Sequence, residues 1–73
     1  MPINFDHTKL RSRIREVFQS ESKFAKALGI SPAAVSMKLN GKIDFTIKEV
    51  KASCKALKIE FYEVTEYFFD LKS

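Results

Sequence analysis

Apolar residues recur along the chain at intervals of three and four in five separate blocks, which is the period of helices packed through one face. In the first block Leu10, Ile14, Val17 and Phe18 fall at i, i+4, i+7 and i+8, predicting a helix from about Thr8 to Gln19 that Asp6 or Thr8 can cap. Phe24, Ala25 and Leu28 predict a second helix, Glu21 to Leu28, with Ser20 as its N-cap. Gly29 stands where a left-handed residue stops a helix. The third begins with Ser31 as N-cap and Pro32 at the first helical position. It carries Val35 and Leu39 on one face and ends at Asn40-Gly41. The fourth opens on Thr46-Ile47-Lys48-Glu49, a capping box, and continues with Val50, Cys54 and Leu57. Between the third and fourth lies the main non-helical connection, 41–45.

The fifth block, Phe61 to about Phe69, is apolar around much of its circumference. Such a helix is deeply buried or shared with a partner. At about 100° per residue Phe61, Val64 and Phe68 gather on one side, toward the first and fourth helices, while Tyr62 or Phe69 faces away. Most of this block reads as core. The outward rings are candidates for a dimer or partner contact.

Composition narrows the class. With 73 residues there is room for one domain, 1–73, and two Gly and two Pro argue for helices over strands and turns. The pattern is therefore all-α, with no repeat or linker. Cys54 is the only cysteine, so neither an internal disulfide nor a cysteine metal site can form. It reads as a small core hydrophobe in a reducing cytoplasm. No apolar run approaches the roughly 18 residues of a membrane span, and Met1 to His7 do not form a signal peptide. A soluble intracellular protein without a membrane partner is expected. The lone His7, near a terminus, reads as solvated. There is no carboxylate pair, Cys/His couple, phosphate loop or ligand cluster, so no enzyme, cofactor, metal or small-molecule substrate is expected.

The net charge of +4 is unevenly placed. Residues 1–59 hold twelve Lys/Arg against five acids, and residues 60–73 hold Lys72 against Glu60, Glu63, Glu66 and Asp70. A basic body with an acidic end suits a polyanionic partner, although ordinary solvated charge also accounts for it. Arg11 and Arg15 share one face of the first helix while Arg13 points elsewhere. These three read as a solvated face with Glu16 nearby, or as reaching phosphate.

Residues 21–41 carry the most specific signal. A helix-turn-helix needs a small residue where two helices cross, positive φ in the turn and an apolar residue facing back. Ala25, Gly29 and Val35 meet these needs, with Ile30 beneath the turn. A plain helical hairpin is the alternative. Phe24-Ala25-Lys26-Ala27-Leu28-Gly29-Ile30-Ser31 followed by Val35-Ser36-Met37-Lys38-Leu39-Asn40-Gly41-Lys42 resembles the Cro/CI-type (XRE-like) helix-turn-helix regulators over about residues 8–70. Within them it is most similar to the modulator-of-repression and Cro-like proteins of temperate phages of Gram-positive hosts.

The resemblance implies a five-helix, lambda-repressor-like DNA-binding domain with the motif on helices two and three. It also implies a role at a lysis–lysogeny switch in the cytoplasm of a bacterial host. Carried over by position, Pro32, Ala33, Ser36 and Met37 face bases, and Ser22, Lys23, Asn40 and Lys42 lie near phosphates. Three departures follow. Glu21 replaces a frequent Gln, and its charge repels phosphate. The base-facing set offers one side-chain hydrogen-bonding group, Ser36, whereas discrimination normally uses bidentate Arg, Asn or Gln contacts worth about 1–3 kcal/mol each. Leu39 and Ile14 stand where many relatives pair an acid with an Arg, implying an apolar contact.

Double-stranded DNA is thus an expected partner of modest affinity, and a cognate repressor protein is the other. Ala33, Ala34 and Met37, with Tyr62 and Phe69, are the candidate partner-binding residues. The first reading is a modulator that acts on a partner repressor, on operator DNA, or on both. The alternative is a stand-alone homodimeric repressor.

Overall fold

The computed structural model describes residues 5–71. Five α-helices form there: α1 (Thr8–Phe18), α2 (Glu21–Leu28), α3 (Pro32–Leu39), α4 (Ile47–Leu57) and α5 (Val64–Phe68). A 3₁₀ turn, Phe61–Glu63, leads into α5. Among the described residues the one β-bridge pairs Phe5 with Leu71, and Asp6 N–H donates to the Asp70 carbonyl at 2.6 Å. The two ends of the fold are thereby joined, with Phe5 edge-on to Phe69 at 5.5 Å.

Local chemistry sets the helix ends. Ser20 Oγ accepts from Lys23 N–H, Ser31 Oγ from Ala34 N–H at 3.1 Å, and Thr46 and Glu49 exchange both bonds of the capping box. Gly29 ends α2 at φ 74°. The end of α1 needs the same left-handed geometry, and there Gln19 adopts it at φ 67° without glycine's freedom. Ser31→Ala removes the only side-chain bond to the first turn of α3 among the described residues, so it is expected to cost about 1 kcal/mol. Urea denaturation measures this. A loss of only a few tenths of that would show that Pro32 alone fixes the start of the helix.

The core joins one face of every helix: Leu10 and Ile14 of α1, Phe24 and Ala25 of α2, Val35 and Leu39 of α3, Val50 and Leu57 of α4, and Tyr67 and Phe68 of α5. Ile14 and Leu39 share this cluster, in line with an apolar contact in place of an ion pair.

Three expectations are corrected. Helix five is not continuous from Phe61, and the Phe61–Val64–Phe68 face does not form. The chain enters through the tighter 3₁₀ turn, and Phe61, at its first position with no preceding turn to fold it back, stands 88 % exposed. Only Tyr67 and Phe68 of the aromatic block are buried, so it is less a core element than its composition suggests. Val17, assigned to the buried stripe of α1, is exposed at the helix end, whereas Leu10 and Ile14 are fully buried.

His7 is the third correction. It is buried beneath the end of α3, where its Nδ1–H donates to the Leu39 carbonyl at 3.3 Å and its ring meets Phe45 edge-on at 5.6 Å. A carbonyl can only accept, so Nδ1 carries a proton in this contact.

Candidate functional site

The crossing of α2 and α3 is built as a helix-turn-helix requires. Ala25 and Val35 are fully buried and Ile30 is half-buried between the helices. The backbone N–H of Ile30 returns to the Ala25 carbonyl at 3.1 Å, closing the turn over Gly29. With Val35 turned inward, Pro32, Ala33 and Met37 are left exposed on the outer side of α3, with Ser36 half-buried beside them. Met37 is 43 % exposed. Ala34 is half-buried.

The residues placed near phosphates fall into two groups. Ser22 and Lys23 lie exposed in the first turn of α2, and Asn40 and Lys42 lie exposed after α3. Asn40 is already engaged. Its Oδ1 accepts from Arg11 at 2.7 Å, and its Nδ2 donates weakly to Ser36 Oγ at 3.4 Å. The single polar side chain of the base-facing set therefore has an internal partner.

Arg11 is the hub of this edge. One of its nitrogens donates to Asn40 and the other to Glu21 Oε2 at 3.0 Å, so it ties α1 to the start of α2 and the end of α3. Glu21 is thus compensated within the fold, which weakens the repulsion of phosphate expected of it. The reading of the arginines as one solvated face with Glu16 nearby holds only in part. Arg13 pairs with Glu16 at 2.8 Å and also donates to the Leu57 carbonyl at 2.9 Å, while Arg11 has its own partners.

A second polar group underlies the end of α3. Lys38 is buried, and its Nζ donates to Glu49 Oε1 at 2.8 Å and to the Asp44 carbonyl at 2.9 Å, with the Phe45 ring 5.9 Å away. Burial alone would raise the Glu49 carboxyl. The Lys38 hydrogen bond, with those from Thr46, overcomes this and holds it below the ordinary carboxylate range. Sequence reasoning marked Glu49 as a capping residue but missed Lys38. The available signal was its place beside Leu39, three residues beyond the inward-facing Val35.

The remaining candidates lie away from α3. Tyr62 is 83 % exposed, and Phe69 is 46 % exposed at the end of α5. Cys54 is half-buried at the edge of the core, and burial pushes its thiol up. Among the described residues no His, Cys, Asp or Glu side chains gather into a set that could hold a metal ion. No helix there is long and apolar enough to cross a membrane.

This backbone and the small-residue crossing define a helix-turn-helix domain of the all-helical, five-helix kind. The chain belongs to a family described as protein of unknown function (DUF739), which matches residues 3–71. Among solved structures it is similar to the modulator of repression (MOR) of the temperate bacteriophage TP901-1 from Lactococcus lactis. The TM-score is 0.79 with 30% sequence identity, covering 90% of this chain and 89% of that one. No curated protein matches. The likeness to phage helix-turn-helix regulators drawn from residues 24–42 is thereby met across nearly the whole chain.

Proposed function

We propose that the chain is a phage-type transcriptional regulator that modulates repression through its helix-turn-helix, by binding a partner repressor and, with modest affinity, operator DNA. The observation that carries this is the chemistry of the outer side of α3. Pro32, Ala33 and Met37 are exposed there with only Ser36 to hydrogen-bond, and Ser36 is shared with Asn40. A surface of that kind reads bases poorly and buries well against protein. Similarity to a modulator of repression supports the same reading. Ala33, Ala34 and Met37 are the proposed partner contacts on α3, with Tyr62 and Phe69 as a separate pair.

DNA contacts are assigned to Ser22, Lys23, Asn40 and Lys42 around the phosphates. The place of action is the host bacterium's cytoplasm. The basic balance of residues 1–59 favours a second reading, a homodimeric DNA-binding repressor.

A gel shift of operator DNA with the repressor of the same switch, with and without this protein, tests both. The first reading expects the repressor–DNA band to be lost or supershifted at micromolar protein. The protein alone should bind weakly, with affinity falling steeply between 50 and 200 mM salt as counterions are released. Tight, operator-specific binding by the protein alone, with the repressor band unchanged, would overturn the first reading in favour of the second.

A further inference from the structure

A second surface, which shares no residue with α3, has the form of a docking site. α4, the Phe61–Glu63 turn and α5 enclose an open groove of about 490 Å³. Ile47, Val50 and Cys54 form one wall, and Phe61, Val64 and Phe69 form the other. Three of these are far more open than a core demands: Phe61 at 88 %, Ile47 at 77 % and Phe69 at 46 %. Large apolar side chains exposed side by side mark an interaction site.

The charged residues of the lining are Lys51 and Lys55. They belong to a longer stripe, Lys48, Lys51 and Lys55, whose spacings of three and four keep it on one side of α4. Among the described residues none of the three makes an ion pair, and neither do Arg15, Lys23, Lys26 and Lys42, whereas Lys9, Arg11, Arg13 and Lys38 do. Three like charges on one helix side repel one another within the free protein.

We propose that this groove receives an amphipathic helix of a partner protein, its apolar stripe seated between Ile47, Phe61 and Phe69 and its Asp or Glu residues facing Lys51 and Lys55. Charge and apolarity together select that occupant. Nucleic-acid phosphates would satisfy the lysines but leave the apolar walls in water. A second copy of the chain, paired groove to groove about a two-fold axis, would bring the two lysine stripes together. An acidic amphipathic helix satisfies both halves of the surface. The inference rests on the reading of the protein as a partner-binding regulator.

The probes are two synthetic helical peptides of roughly 18 residues. They share one Leu/Phe stripe at i, i+3, i+4 and i+7, flanked by Glu in one peptide and by Lys in the other. Each is titrated into the ¹⁵N-labelled 73-residue chain. The expected result is at least about tenfold tighter binding of the Glu peptide, with amide shifts centred on residues 47–69. The double variant Lys51→Glu/Lys55→Glu should reverse the preference. Both lysines are exposed, and circular dichroism checks that the fold is kept.

Equal affinity for the two peptides, binding of neither, or shifts confined to residues 32–37 would overturn the proposal. So would sedimentation as a dimer with the groove amides protected, which would assign the groove to a second copy. The peptides carry no repressor sequence. Their failure therefore does not alter the gel shift above, and a negative gel shift does not alter theirs.

Discussion

Glu49→Ala is expected to lower the unfolding free energy by about 3 kcal/mol, because it strands a buried ammonium. Lys38 lies almost wholly inside the fold, with Glu49 and the Asp44 carbonyl as its polar partners and Phe45 beside it. The same substitution removes the Glu49 half of the capping box at the start of α4. Domains are stable by roughly 0.05–0.15 kcal/mol per residue, so a chain this short loses a large share of its total. Guanidinium or urea titration reads the loss directly.

The double variant Lys38→Met/Glu49→Gln separates the charge from the packing. It replaces the cation with an apolar chain of similar length and keeps a capping side chain at 49. Removing both members of a buried pair is often neutral, so this variant should lie within about 1 kcal/mol of wild type. A single variant as stable as the double one would show that the pair does not bracket α3 to α4.

The pair also sets a pH dependence. The folded carboxyl of Glu49 is held below its unfolded value. Its contribution is therefore complete above the ordinary carboxylate range and fades as pH falls through the lowered folded value. Wild type should lose stability more than Lys38→Met/Glu49→Gln does in that acid window, and the difference should be flat near neutrality.

What could be read in advance follows the range of each interaction. Ser20, Gly29, Ser31, Pro32 and the Thr46–Glu49 box act on partners within one helical turn, so a linear sequence contains both halves of each. The crossing of α2 and α3 was legible for the same reason, since Ala25, Gly29 and Val35 sit within eleven positions. His7 was misread and the Arg11–Asn40 bond missed because the partners are remote, and Lys38 was missed because Asp44 and Glu49 lie in and beyond the non-helical connection, which no period describes. His7 meets Leu39 across 32 positions and Arg11 meets Asn40 across 29.

Nor does periodicity report where a helix tightens. Phe61 repeats in phase with Val64 and Phe68, yet the 3₁₀ entry places it in solvent. That one departure opens the wall of the α4–α5 groove, so a feature of docking interest arose where the sequence pattern failed. The outer face of α3, by contrast, was legible as chemically sparse from its residue types alone. The bond from Asn40 to Ser36 makes it sparser still.

Met37→Arg should move the two proposed activities of α3 in opposite directions. Met37 is 43 % exposed and outside the core, so the substitution should leave the circular dichroism spectrum unchanged. On DNA the guanidinium adds a phosphate or guanine contact. A base contact of this kind is worth about 1–3 kcal/mol, and a phosphate contact steepens the salt slope by about 0.9. Affinity for DNA should therefore rise by about tenfold at low salt. Against a protein, the same change puts an unpaired charge into an apolar contact and removes a flexible filler of gaps. A contact of hot-spot rank is worth 2 kcal/mol or more, so affinity for the repressor should fall by about 30-fold. Fluorescence anisotropy against labelled DNA and labelled repressor gives both values on one preparation. Repressor affinity unchanged by Met37→Arg would remove α3 from the protein contact. The proposed modulating activity would then have to be carried by another face, and the α4–α5 groove, with its exposed aromatic wall and exposed lysines, is the next candidate.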